Sequence, residues 1–189
     1  LGGVAISVDD TIQVRISTFA NLYQKAYYFP PFPPNKNTGP LPPRVGETTT
    51  YTLVWEITNT TNDIRDAKVE TKLPIHMQWL GEVYPASERV DYDPTTGKIV
   101  WSPGIIDAGS GYYLPVRHVA FQVSLTPAPS FIGSSPLIFD ESVFSGQDDF
   151  TGKLITVAGG AITTNLIGFG DQEFRNSKWG VVVRPDGTI

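Results

Sequence analysis

The stretch GETTTYTLVWEITNTTNDIRDAKVETKLP, from Gly46 to Pro74, restricts the fold of this chain more than any other. Tyr51, Leu53, Trp55 and Ile57 alternate with Thr52, Val54, Glu56 and Thr58, and a period of two is that of a strand whose two faces meet different surroundings. Val54 breaks the alternation, so this strand is expected to be partly covered on both faces. Residues Asn59, Thr60, Thr61, Asn62 and Asp63 follow, all able to bond their own backbone in a tight turn. Ala67, Val69, Thr71 and Leu73 then alternate with Lys68, Glu70 and Lys72 as a second strand with one wet face. Pro74 has no amide hydrogen for a ladder and ends it. Two amphipathic strands joined by a polar turn bury their shared apolar face only against a further sheet. The pattern predicts an all-β, antiparallel β-sandwich with Tyr51, Leu53, Trp55, Ile57, Val69, Leu73, Trp101, Val119, Phe121 and Val123 in its core.

The rest of the chain is consistent with many short strands. Its 189 residues suffice for a large core, and 16 prolines with 18 glycines punctuate it heavily. Only Thr18 to Tyr27 reads as a short helical candidate, a turn or two at most. His76 to Val83 is a further strand or extended stretch. Val90 to Tyr92 and Ile99 to Trp101 flank Asp93-Pro94-Thr95-Thr96-Gly97, a hairpin turn with proline at its first central position and glycine closing it. Val119, Phe121, Val123 and Leu125 line one face of another strand. Leu137 to Phe144 and Gly152 to Val157 read as two strands around residues 145–149. Ile162 to Leu166 follows, and Trp179 to Val183 is a last apolar run.

Taken in order, GETTTYTLVWEITNTT, KLP, YDPTTGKIVWSPGIIDAG and VAFQVSLTP resemble the conserved-repeat immunoglobulin-like domain of bacterial and archaeal surface proteins, the "domain of unknown function eleven" family. Gly46, Tyr51, Asn59, Leu73-Pro74, Trp101 and Ala108-Gly109 stand at its landmarks. The resemblance runs from about Gly46 to Asn165. It implies an immunoglobulin-like, extracellular sandwich used for building or adhesion, and it brings no catalytic residues. The family usually occurs in tandem copies, whereas this chain shows no internal repeat.

Composition narrows the function further. A net charge of −5 with dispersed acidic and basic residues offers no cationic stripe for nucleic acid. No apolar run reaches the roughly 20 residues that span a bilayer, and nothing reads as a signal peptide. The chain begins at Leu1 rather than Met, as a processed product does. Without cysteine there are no disulfides, thiolate zinc sites or thiol nucleophiles.

Few residues suggest chemistry. Asp91 and Asp93 lie two apart on one strand face, but the turn accounts for Asp93 without a ligand. Asp140, Glu141, Asp148 and Asp149 form the densest acidic cluster. A hairpin closing between them brings these carboxylates to one end of the sandwich as calcium candidates, although no D-x-D-x-D-G loop is present. His76 and His118 have no neighbour at metal spacing, and no G-x-S-x-G elbow exists. No cofactor and no catalytic residue is expected. Trp79 and Trp179 are candidate ligand aromatics for a glycan, while Trp55 and Trp101 read as core. Asn59-Thr60-Thr61 fits an N-glycosylation pattern that is common by chance.

The expected organisation is an N-terminal strand segment at 1–29, a proline-rich linker or edge crossover at 30–45, the sandwich at 46–166 and a C-terminal strand extension at 167–189. The aromatics among the prolines favour the crossover, being costly to leave wet. Val4, Ile6 and Val8, then Ile12, Val14 and Ile16, form two alternating rows outside the stretch that resembles the family. An unpaired apolar strand is an aggregation hazard, so these rows either pair within their own sheet or dock into a neighbouring subunit by strand exchange. The reading is a non-enzymatic, extracellular, cell-surface building block of a filament, layer or stalk, partnered by further copies or neighbouring subunits. The alternative is an adhesion or carbohydrate-binding module.

Overall fold

The structure is a computed structural model and describes residues 13–32 and 36–189. The chain is an antiparallel β-sandwich. One sheet has the order β1-β2-β7-β4 and the other β10-β9-β3-β6-β5. The first is built from β1 (Ala20–Tyr27), β2 (Thr49–Asn59), β7 (Arg117–Leu125) and β4 (Met77–Tyr84). The second comprises β10 (Leu154–Gly159), β9 (Ser142–Asp148), β3 (Ile64–Lys72), β6 (Lys98–Ile106) and β5 (Val90–Asp93). A small third sheet pairs β8 (Leu137–Phe139) with β11 (Ile162–Thr163). No helix among the described residues is long and apolar enough to cross a membrane.

The alternation in β2 does what its period requires. Tyr51, Leu53, Trp55 and Ile57 are wholly buried between the sheets, facing Val69 of β3, Trp101 of β6 and Phe144 of β9. Trp55 is the centre of this core. Its ring stacks on Trp101 at 6.3 Å and meets Phe121 edge-on at 5.0 Å, and its Nε1 donates to the Ser142 hydroxyl. All ten residues expected in the core are buried. Val54 is buried too, on the other face, where it meets Ala120, Tyr27, Phe32 and Tyr84 in a second small cluster. The proline-rich segment is what covers that face. Phe32 lies edge-on to Tyr27 at 5.4 Å, Asn37 Nδ2 donates to the Tyr27 and Tyr28 carbonyls, the Thr50 N–H donates to the Thr38 carbonyl, and the Thr38 N–H donates to the Thr50 hydroxyl. Asn37 and Thr38 thereby lie along β2.

Three local expectations are corrected. Residues 18–27 are not helical: Ala20 to Tyr27 is an edge strand paired in register with β2, Leu22 opposite Ile57 and Ala26 opposite Leu53. Gln24 hid its alternation, because a polar side chain stands where an apolar one was expected. It is accommodated by donating to the Gly160 and Asp140 carbonyls. The turn after Phe144 lies not at 145–149 but at 149–153, and β8 is separate from β9. Trp179 to Val183 is not a strand; a 3-10 turn (Ser177–Gly180) is followed by Val182 and Val183, both buried. The Asp93–Gly97 hairpin forms as expected. The Asp93 carboxylate accepts from the Thr95 N–H and the Thr96 hydroxyl, and Gly97 has φ +73°.

Candidate assembly site

The strands give the sandwich two poles. At the leading pole β1 begins, beside the 60–63 turn, the 107–116 connection and the 149–153 turn. At the trailing pole β2 begins and β7 ends, and there Val183 pairs with Pro43 and Arg44 while Val182 bonds Ser134. Residues 13–19 and 181–189 therefore lie at opposite ends of the molecule, separated by the eleven residues of β2, about 36 Å of strand.

Residues 13–19 and 171–174 are each fastened by one buried carboxylate. Asp148 has no exposed surface and accepts from the backbone N–H groups of Thr18, Phe150 and Thr151 and from Asn62 Nδ2. Burial pushes its pKa up, but the donors from Thr18, Asn62, Thr151 and Phe150 outweigh it and hold the carboxyl down at about 2. Thr18 adds a hydroxyl bond of 2.6 Å to Asn59 Oδ1. Asp171, also buried, accepts from the N–H groups of Tyr28, Phe29, Glu173 and Phe174, tying the C-terminal segment to the end of β1.

This arrangement corrects the acidic cluster. Asp140 and Glu141 precede β9 while Asp148 and Asp149 close it, so the seven residues of β9 hold the pairs about 20 Å apart. Asp148 is taken up by N–H donors, and Asp149 pairs with Arg65. No group of His, Asp or Glu among the described residues is placed to hold a metal ion. Asn59 is fully buried, and its Nδ2 donates to the carbonyls of Asn62, Ile106 and Asp107, so the folded chain presents no glycan acceptor there. His76 Nε2 lies 2.6 Å from the Leu137 carbonyl, and His118 stands opposite Glu56 on β7. Trp79 is half-buried, stacked on Tyr92 at 5.5 Å and tilted against Phe121, where it closes the β4–β5 side. Trp179 is half-buried between Phe29 and Phe174. The two tryptophans sit at opposite edges of the four-stranded sheet.

The leading pole instead gathers exposed apolar side chains. Of the rows expected to assemble, Val4, Ile6, Val8 and Ile12 lie outside the described residues. Val14 and Ile16 are 77% and 72% exposed and lie in no strand. Arg15 holds this segment to the 149–153 turn, its guanidinium 5.3 Å from the Phe150 ring centre. Phe19, Phe150 and Leu154 are exposed beside it, and across the 60–63 turn so are Tyr112 and Tyr113. Exposed apolar side chains gathered at one end of a sandwich make that end the candidate interaction surface. The sequence signal of Tyr112-Tyr113-Leu114 is three large apolar residues directly after a glycine-rich turn.

Compared with family models and with curated proteins, the sequence matches none. Among solved structures, the full-length major pilin SpaD of Corynebacterium diphtheriae is similar over 76% of this chain and 35% of its own, at 12% identity and a TM-score of 0.46. BcpA, the major pilin subunit of Bacillus cereus, is similar over 77% and 40%, at 8% identity and 0.45. An exo-β-N-acetylglucosaminidase of Vibrio harveyi is similar over 74% and 18%, at 10% identity and 0.40. This chain spans less than half the length of each. The likenesses are remote and cover both filament subunits and an enzyme.

Proposed function

We propose that this chain is a non-enzymatic building block of an extracellular, cell-surface assembly, joined end to end with further copies or neighbouring subunits. The observation that supports the reading is the leading pole: an apolar surface at the end where the chain enters the sandwich, with residues 181–189 at the opposite end. A rigid sandwich entered at one end and left at the other carries load along its strands. A contact from one pole of a subunit to a different surface of the next is heterologous, and it builds an open filament when its rotation does not close a ring. The landmarks from Gly46 to Asn165 fit the same reading, in which the chain is a relative of the surface-protein domain it resembles.

Negative-stain imaging of the protein taken from its native surface, together with surface-restricted labelling of intact cells, tests this. Thin end-to-end filaments and labelled chains are expected. Particles the size of one sandwich at every concentration, or a chain protected from the label, overturn it.

A further inference from the structure

We infer that Ile75, at the trailing pole of one copy of this chain, seats in a pocket of the 107–116 connection at the leading pole of the next copy. The inference rests on the end-to-end reading above and names the contact through which it works. Ile75 is wholly exposed, more so than any other large apolar side chain among the described residues. The turn that carries it is nevertheless fixed. Leu73 and Met77 on either side are buried, and the Leu73 N–H donates to the Gly97 carbonyl. The Met77 N–H closes the turn on the Pro74 carbonyl, and His76 packs on Phe131 with its Nε2 2.6 Å from the Leu137 carbonyl. An apolar group presented on such a turn meets a partner with little further ordering of the backbone.

The pocket has a volume of about 270 Å³ and apolar walls from Ile105, Leu114, Pro115 and Val116. Its loop is held by its own bonds. Ser110 Oγ donates to the Asp107 carbonyl, the Leu114 N–H to the Gly109 carbonyl, and Asn59 Nδ2 to the Ile106 and Asp107 carbonyls. Arg117 also lines the pocket, but its charge is met by Glu88 at 2.9 Å, so it does not call for an anion. The volume falls below the roughly 300–1,000 Å³ of small-molecule sites. It suits an apolar side chain instead.

Strand order makes a second copy the occupant. Ile75 stands where the chain crosses from β3 to β4, and the pocket lies where it crosses from β6 to β7. Because β3 adjoins β6 in one sheet and β4 adjoins β7 in the other, the two crossings lie over neighbouring strands at opposite ends of the molecule. Moving a copy by its own length along its strands, with a sideways step of about one strand spacing (~4.8 Å), brings Ile75 to the pocket. The charges agree with this step. Lys72 ends β3 and Asp107 directly follows β6; both are exposed, and neither has an ion-pair partner among the described residues. The same movement carries Lys72 toward Asp107 and so fixes the rotation between copies. Two different surfaces meet, which makes the contact heterologous and repeatable.

The natural absence of cysteine makes cross-linking a clean test. Full-length chains carrying Ile75→Cys are mixed with full-length chains carrying Ile105→Cys, Leu114→Cys or Val116→Cys and mildly oxidised. A disulfide needs Cα atoms about 4.4–6.8 Å apart, so at least one pocket position should couple to Ile75→Cys. Its yield should exceed by roughly tenfold that with Leu80→Cys, an exposed control on the flank of β4. Ile75→Asp should weaken association in sedimentation by roughly tenfold or more, since a charge enters an apolar pocket, with the monomer's melting temperature unchanged. Ile75→Leu should restore it. Lys72→Asp and Asp107→Lys should each weaken association and, combined in one chain, restore it. The inference is overturned if no pocket position couples above the Leu80→Cys control, or if Ile75→Asp associates as the parent does. Filaments that persist in Ile75→Asp would keep the end-to-end reading and remove this contact from it, whereas coupled pairs without filaments would do the reverse.

Discussion

Asp148 is the residue on which the leading pole depends. Its folded pKa of about 2 lies below the ordinary carboxylate value, so between roughly pH 4 and pH 2 the unfolded chain binds the proton that the folded chain refuses. The stabilisation is fully present above pH 4 and is lost as the pH falls through the folded value; its size is of order 1–2 kcal/mol. Asp148→Asn keeps the shape but removes the charge that faces four donors. Denaturant titrations from pH 7 to pH 2 should show the variant less stable at neutral pH and with a flatter acid limb than the parent. A parallel acid limb would place the titrating group elsewhere. Trp55 is the corresponding residue of the core: wholly buried, ringed by Trp101, Phe121 and Phe139. Trp55→Ala should cost ~3–5 kcal/mol in equilibrium unfolding, and a loss below 1 kcal/mol would contradict that central place.

Among the elements, β3 is the least regular. Its pairing with β6 shifts register between Ile64 and Val69, and its pairing with β9 shifts between Arg65 and Lys68. Such bulges bend and twist a strand. Asp66 sits inside this irregular stretch at φ +53°, and Gly146 of β9 faces it with no room for a side chain. A Cβ there would lie 2.4 Å from Ile64 Cγ2, an atom held by the core. Gly146 does not have a positive φ, so Gly146→Ala reports packing alone. Its expected cost is ~1–3 kcal/mol, read as a lower denaturation midpoint with an unchanged slope. A neutral effect would mean that the bulge can shift to make space.

On the scale of the whole molecule, the arm and the sandwich should separate in their effects. Thr18 bonds the sandwich through Asp148, Asn59 and Thr60. Removing residues 1–12 spares these bonds, and the melting temperature should stay within about 2 °C. Removing residues 1–18 leaves the Asp148 carboxylate short of a donor, at a cost of about 1–3 kcal/mol. For a chain of this size each kcal/mol shifts the melting temperature by about 2–4 °C, so a fall of about 2–12 °C is expected by scanning calorimetry. Equal melting temperatures for the two truncations would remove the latch at Thr18 from the account.

The amino-acid sequence by itself determined the layers of this protein. The alternation from Tyr51 to Ile57 and from Ala67 to Leu73 set which side chains meet between the sheets, the extra apolar Val54 announced a cover on the outer face, and Asp93 to Gly97 wrote its own turn. Each is a local matter, decided by a period of two or by a side chain bonding its own backbone. Tertiary structure alone decided the rest. Gln24 occupies an apolar position because carbonyls from another part of the chain receive it; Asn59 is buried by a turn 47 residues further on; and the four carboxylates of residues 140–149 are parted because the strand between them is extended. Which strand edges stay unpaired is likewise set by the order of strands in two sheets. Sheet order depends on contacts between distant segments, and no local pattern of residues records it.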